Sequence, residues 1–261
     1  MRKYLKIVTT TFKEYSAYRL NFILWRLRMF ISTAITFFLW FAVVGGKNIQ
    51  FGSYKESSLL SYILFANLLY EFAMGTRTVD VAGEINNGVI INYLLKPVSF
   101  FKYYLSRDIA DKLLNVFFAI FEIGILVIYF KVSLVIPKNI LLAFLFLLNG
   151  TFISFFLSLM LSFLGFWTTE VWAPRFLFFM IVAFLSGAYF PLDLFPGPIY
   201  HLLLLTPFPY LYYLPTKILL GQVDSIIVLE GAMATVWVFL SYKLTRLMWD
   251  RGNKSFSFWG R

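Results

Sequence analysis

Gly83-Glu84-Ile85-Asn86-Asn87-Gly88-Val89-Ile90-Ile91-Asn92-Tyr93-Leu94-Leu95-Lys96-Pro97 separates two apolar stretches, Leu59–Thr78 and Leu113–Val132. The insert is too polar at its start to lie in lipid. It breaks at Gly88, where backbone freedom is greatest, and at Pro97, which cannot continue a helix. From Val89 to Leu95 every residue but Asn92 is apolar. These features describe a short helical elbow at the membrane surface, with Val89–Lys96 as its stiff piece, where a soluble partner could push on it. An ordinary polar inner loop is the plainer reading, but it leaves those apolar residues with nothing to cover them.

Working outward, composition fixes the solvent. Of the 261 residues, 60% are hydrophobic, 21% aromatic and 14% charged. A soluble domain carries about 25% charge, and a core of this size cannot hide so much Phe and Leu from water. Crossing the hydrocarbon takes about 20 apolar residues at 1.5 Å each. Six stretches come close: Met29–Val44, Leu59–Thr78, Leu113–Val132, Ile140–Phe166, Phe176–Pro191 and Ile226–Leu247. The first and fifth are short and borrow interfacial residues from their flanks. The alternating pattern of a membrane barrel is absent, so the spans are helices.

The net charge of +10 invites a nucleic-acid reading. Topology supplies a sufficient alternative. With both termini inside, 18 of the 23 Lys and Arg fall in inner segments, and only Lys47, Lys55, Lys131, Lys138 and Lys217 fall outside. That asymmetry is the positive-inside signature. There are no cysteines, which excludes disulfides and thiolate metal sites. No cleavable signal peptide is expected, because the first apolar run starts only near Met29.

Arg2 to Phe22 reads as an amphipathic helix. Tyr4, Val8, Phe12, Tyr15, Tyr18 and Phe22 gather on one side, with Arg2, Lys3, Lys6 and Lys13 roughly opposite. It is a surface anchor in the inner interface or a lever joining a cytosolic partner to the first span. In the second span Asn67, Glu71 and Thr78 share a face, as do Asn115 and Glu122 in the third. A carboxylate within a span costs about 2.5–3.5 kcal/mol on insertion scales. Either these groups pair across helices and pack the bundle, or they line the route of a polar or cationic solute. Gly150, Ser154, Ser158 and Ser162 recur every fourth residue, a spacing that lets helix backbones approach. Glu170 and Arg175 are close enough in sequence to pair in the turn that follows.

Six of the nine prolines, Pro191, Pro196, Pro198, Pro207, Pro209 and Pro215, fall in one outer segment. The apolar run Ile199–Leu205 is too short to cross. The segment dips into the outer leaflet and returns, or lies flat as two short helices. An outer gate over a pathway fits, as does an aromatic belt of Tyr200, Tyr210, Tyr212 and Tyr213. The tail from Trp249 to Arg261 is basic and aromatic, and is expected on the inner leaflet.

Catalysis is poorly supported. There is no phosphate loop, no His-Glu-x-x-His and no Gly-x-Ser-x-Gly. The single histidine, His201, sits in the proline-rich segment, and the serine row has no base beside it in sequence.

Three features converge: six spans with both ends inside, the elbow between spans two and three, and the broken outer element between spans five and six. Together they resemble the permease subunit of an ABC-2 type transporter. The motif-level match is Glu84-Ile85, Gly88 and Leu94-Leu95-Lys96-Pro97, similar to the family's Glu-Ile…Gly…Leu-Leu-x-Pro pattern. Elsewhere the likeness is topological, closest to the Phe-rich permeases of daunorubicin-type exporters. The resemblance implies an all-α membrane protein with one ABC-2 type transmembrane domain over 1–261. Within it lie an interfacial helix (1–28), a cytosolic coupling segment (79–111) and an outer re-entrant or cap segment (191–222).

It further implies a half-transporter at the cell membrane with both termini cytoplasmic. A second permease, identical or related, would complete the pathway. Cytosolic ABC ATPase subunits would dock at Glu84, Ile85, Gly88 and Leu94 to Pro97, and they rather than this chain would bind ATP and Mg. Asn67, Glu71, Asn115 and Glu122 are candidates to line the pathway; Pro191, Pro196, Pro198, Pro207 and Pro209 would form the outer gate. No catalytic or metal-binding residue is assigned. Two other functions stay open: a non-transporting membrane scaffold or sensor, which would hold an ATPase but move no solute, and a lipid-modifying enzyme using Glu71 or Glu122.

Overall fold

The computed structural model describes residues 2–46, 50–74, 77–95 and 98–255. Among these residues the architecture is all helical. Eleven α-helices run in chain order: α1 (Arg2–Ala17), α2 (Arg19–Val44), α3 (Glu56–Ala73), α4 (Asp80–Asn86), α5 (Ile91–Leu94), α6 (Phe100–Phe130), α7 (Ile140–Ser162), α8 (Trp172–Leu185), α9 (Gly197–Leu204), α10 (Tyr213–Leu219) and α11 (Ile227–Ser255). Short 3-10 turns cover Arg77–Val79, Phe163–Phe166, Leu192–Leu194 and Phe208–Tyr210.

Four helical stretches are long and apolar enough to cross a membrane: Arg19–Val44, Phe100–Phe130, Ile140–Phe166 and Ile227–Lys254. A fifth arises if Glu56–Ala73 and Arg77–Asn86, bent by 44° to one another, count as one broken span. The sixth stretch expected from hydropathy is α8, whose 14 residues reach only about 21 Å at 1.5 Å per residue.

Helix boundaries depart from the hydropathy windows in a consistent way. α2 begins at Arg19 rather than Met29, and α6 begins at Phe100 rather than Leu113. Neither added stretch contains Gly or Pro, so nothing interrupts backbone hydrogen bonding. Their charged residues had marked a boundary in hydropathy but not in helix. The N-terminal helix ends at Ala17, with Tyr18 between it and α2, and packs along the first half of α6. Glu14 meets Arg107 at 3.0 Å, and just beyond it Phe22, at the start of α2, meets Phe118 with ring centroids 5.2 Å apart. α1 is therefore a part of the bundle, with one face already committed to protein.

The larger core joins α2, α3, α7 and α10, with Phe37, Tyr62, Ile63, Tyr212 and Tyr213 fully buried. A second cluster gathers Val81, Ile85 and Ile90 with Phe100, Phe155, Phe163, Phe166 and Trp249. Trp249 thus belongs to the core at the elbow end; Phe256, Phe258 and Trp259 of the expected surface tail lie outside the described residues.

The small-residue row on α7 works as a close-approach seam. A side chain at Gly150 would meet the Tyr210 and Leu211 carbonyl oxygens at 2.5 and 2.6 Å. Ser154 donates to the Ala73 carbonyl, Ser158 shares a 2.6 Å hydrogen bond with Thr78, and Ser162 donates to the Thr78 carbonyl. Arg175 does not pair with Glu170. It turns inward, donating from Nη1 to Ser158 Oγ at 3.3 Å, and from Nη2 to the Ser158 carbonyl at 3.2 Å and to Ser162 Oγ. Serine acceptors offer a buried guanidinium satisfied hydrogen bonds, whereas an exposed ion pair adds little.

Candidate functional site

The elbow is two short helices joined by a glycine turn. α4 opens with Asp80, whose charge suits a helix N-terminus. It closes at Gly88, where φ is +71° and the amide donates to the Ile85 carbonyl at 3.1 Å. A left-handed residue after a helix is the position where glycine avoids a Cβ penalty. The regular helix thus lies before Gly88, in Asp80–Asn86, and among the elbow's described residues after it the four of Ile91–Leu94 are helical. The stiff piece read from sequence, Val89–Lys96, is displaced toward the N-terminus. The reason is that the chain has no breaker between Arg77 and Gly83, while the turn at 87–90 consumes the first two residues of that piece.

One side of the elbow is rooted. Val81, Ile85 and Ile90 are buried in the aromatic cluster described above. The Glu84 carboxylate accepts from the Tyr104 hydroxyl of α6 and, at 3.3 Å, from Tyr93. Gly165 lets the 3-10 turn after α7 approach the Ala82 backbone, with a Cβ position 3.1 Å from its carbonyl oxygen. The opposite side is open: Gly83, Asn86, Asn87, Val89, Asn92 and Leu95 are exposed, Leu95 by 80%. Of the expected docking residues, Ile85 faces the core and Glu84 the two tyrosines, Gly88 makes the turn, and Leu95 faces outward. Lys96 and Pro97 lie outside the described residues, as does the Leu94 side chain.

The polar residues within the spans meet on one seam between α2, α3 and α6. Arg26 grips both carboxylates. Its Nη1 lies 3.2 Å from Glu71 Oε2, while Nε and Nη2 bond Glu122 bidentately at 3.0 and 2.5 Å. Arg26 and Glu71 are buried, at 5% and 6% exposure. Further along, Thr33 donates to Asn67 at 3.3 Å and Asn67 donates to the Ile63 carbonyl at 2.8 Å. In the other direction Asn115 donates to Asp111 at 3.1 Å. Asp111 lies 3.7 Å from Arg77 and borders a cavity of about 340 Å³ walled also by Glu14, Tyr15, Tyr18, Phe22 and Trp25. Sequence reasoning missed Arg26, because its charge placed it in the interfacial segment. The unbroken run from Arg19 to Val44 was the signal that it belongs inside a helix.

The bend between α3 and the elbow has its own fixings. The Ala73 carbonyl accepts from Ser154 of α7 and from Lys112 Nζ of α6 at 3.3 Å. Lys112 is itself held 2.7 Å from Asp108.

In the proline-rich segment the prolines start helices. Pro191 precedes the turn Leu192–Leu194, Pro196 and Pro198 sit at the start of α9, and Pro207 precedes the turn Phe208–Tyr210, which has Pro209 as its second residue. A fixed φ and a missing donor cost nothing at a first turn. Tyrosine hydroxyls then sew the segment down. Tyr54 donates to Asp193 at 3.0 Å, Tyr62 donates to the Gly187 carbonyl at 2.8 Å, and Tyr212 bonds Ser186. Tyr210, Tyr212 and Tyr213 are buried rather than arrayed as a belt, and Tyr200 alone of that group is partly exposed.

The profile of the ABC-2 family transporter proteins matches residues 30–260. The chain belongs to the ABC-2 family. It is accordingly a multi-pass membrane transport component, of a kind that works in general with ABC ATPase partners and is not itself catalytic. No curated protein matches the chain.

Proposed function

We propose that this ABC-2 protein is the permease subunit of an ATP-driven exporter at the cell membrane. Two permeases, identical or related, form the pathway, and separate cytosolic ATPase subunits bind ATP and Mg. Six crossings leave both termini cytoplasmic, with α8 and the bent α3–α4 pair each completing a crossing. The elbow receives the motor's push, and the proline-rich segment gates the far side.

The elbow carries this reading. Its buried side is fixed to α6, α7 and α11 through Glu84, Ile85 and Ile90, while its open side offers Val89, Asn92 and Leu95 to a partner. A lever needs both a rigid root and a free handle. The convergence of Glu71 and Glu122 on Arg26 speaks against an enzyme that uses either as a free acid or base.

The test uses the absence of cysteine. Val89→Cys introduces a lone thiol on the open side of the elbow, and the chain is expressed with the ATPase that co-purifies with it. A reagent with one thiol-reactive and one photoreactive arm is expected to join the two only through that introduced thiol, and nucleotide is expected to change the yield. Labelling of the thiol from outside the cell, or no crosslink despite co-purification, removes the elbow as the coupling element.

A further inference from the structure

Lys3, Lys6, Thr10 and Glu14 are spaced by three or four residues on α1, so they share a face. That face meets α6. Together with Ile7, Thr11, Tyr103 and Arg107 it walls a cavity of about 490 Å³. Among the described residues on its wall, three cations stand beside one carboxylate. Glu14 is that carboxylate, and it is engaged by Arg107 at 3.0 Å and by Arg77 at 3.2 Å. Arg107 is 9% exposed. Lys3 and Lys6 bring two more cations to the same wall. Like charges converging on a half-enclosed space raise its potential and concentrate anions there. The threonine hydroxyls are already spent on the Lys6 and Ile7 carbonyls, so recognition falls to the cations.

We propose that the cavity between α1 and α6 binds the phosphate of an anionic glycerophospholipid from the inner leaflet, with Lys3, Lys6 and Arg107 as its cationic wall. Depth favours a lipid over a soluble anion. The apolar run of α6 begins at Leu113, and Arg107 lies six residues before it, about 9 Å along the axis. The headgroup layer extends about 5–7 Å beyond the hydrocarbon on each side, and tilt and long side-chain stems cover the difference. Basic pockets beside spans on the inner side select anionic headgroups. A bound lipid would tie α1 to α6 beside the Arg77 end of the elbow. The inference rests on the inner placement of α1 in the proposed topology, and on no other part of the transport reading.

The full chain, purified in detergent, is titrated with phosphatidylglycerol or phosphatidylcholine, and retained lipid is counted by native mass spectrometry. Saturable retention of one phosphatidylglycerol per chain is expected, undisturbed by excess inorganic phosphate. The double variant Lys3→Gln/Lys6→Gln should weaken retention by about tenfold or more, with its thermal unfolding in phosphatidylcholine nanodiscs unchanged. Equal retention of phosphatidylcholine, or wild-type retention by the variant, overturns the proposal. Displacement by inorganic phosphate also overturns it, by making this a site for a soluble anion. Those first arms need no variant, so a misfolded double mutant leaves the test intact. Lipid binding without any solute export would count against the transport reading alone.

Discussion

Arg26 holds two carboxylates with one cation, so the cluster carries one negative charge in excess if all three groups are ionised. The two acids are not equivalent. Glu122 receives two hydrogen bonds from the guanidinium, whereas Glu71 has a single 3.2 Å approach. Removing one partner of a buried pair costs about 3–5 kcal/mol, because the other is left uncompensated. Arg26→Gln is therefore expected to lower the unfolding temperature most, Glu122→Gln next, and Glu71→Gln least, since neutralising Glu71 leaves a balanced pair. Thermal unfolding followed by tryptophan fluorescence in detergent ranks the three. Glu71→Gln proving as damaging as Glu122→Gln would mean the geometry misassigns the stronger bond. Gly88 makes a different demand, on backbone alone. Its φ is +71° and no atom lies within 4 Å of where a Cβ would sit. Gly88→Ala should cost about 1–2 kcal/mol through the left-handed conformation, and Gly88→Asn appreciably less, because Asn tolerates that region. Equal losses in the two variants would point to a clash rather than conformation. Gly88 was legible in the sequence because a glycine between a polar stretch and an apolar run has a local meaning. Arg26 was not, because its partners are 45 and 96 positions away and only the fold brings them together.

Among the elements, the proline-rich segment shows most clearly where reading the chain succeeds and where it stops. Prolines act through their own φ and missing donor, so the sequence announced a broken segment, and the structure places each at or near the start of a short helix. What the tyrosines do was hidden, because a hydroxyl's partner depends on tertiary packing. Tyr54 reaches Asp193 from the other side of the chain's length, and Gln222 joins them at 3.3 Å. Burial pushes the Asp193 carboxyl above its usual range, against the opposing pull of the Tyr54 hydroxyl and of Lys217. A carboxyl raised on folding takes up a proton more readily in the folded state. Its favourable contribution is full below the unfolded carboxyl range and fades as pH climbs through the raised value. Stability of the segment should thus fall from mildly acidic to neutral pH, and Asp193→Asn should flatten that slope while keeping an acceptor for Tyr54. Hydrogen exchange of α9 and its flanking turns, measured across that range, reports it. A slope unchanged in the variant would assign the pH dependence elsewhere. Helix ends tell a similar story: the sequence marked a break at Gly88 but set the stiff helix after it, whereas the division of α4 from α5 at residues 87–90 follows from turn hydrogen bonds, including the Ile90 amide to the Glu84 carbonyl at 3.1 Å, that composition does not encode.

At the scale of the molecule the question is how a push on the elbow would reach helices remote from it. A contiguous set of contacts exists. The elbow continues from the turn Arg77–Val79, whose Thr78 bonds Ser158 at 2.6 Å and accepts from Ser162 through its carbonyl. The same two serines receive the Arg175 guanidinium of α8, which is 5% exposed. On the other flank, Lys112 and Ser154 converge on the Ala73 carbonyl at the end of α3. Rotation of α4 about the 44° bend must therefore either carry α7 and α8 with it or break several buried hydrogen bonds, each worth about 1.5–3 kcal/mol where the donor is charged. Adjacency is not yet coupling, and a variant has to separate the two. Arg175→Met keeps the volume and apolar stem but removes every hydrogen bond to Ser158 and Ser162, whereas Arg175→Lys keeps the charge and part of the bonding. If α8 is driven through this node, Arg175→Met should leave ATPase co-purification and basal ATP hydrolysis near wild type while abolishing nucleotide-dependent change at α8, read as spin-label distances between the two α8 helices of the assembled transporter. Arg175→Lys should restore a fraction of that change. Full movement of α8 in Arg175→Met would show that force enters the bundle by another route, and attention would shift to the Glu84–Tyr104 contact with α6, a further attachment of the elbow.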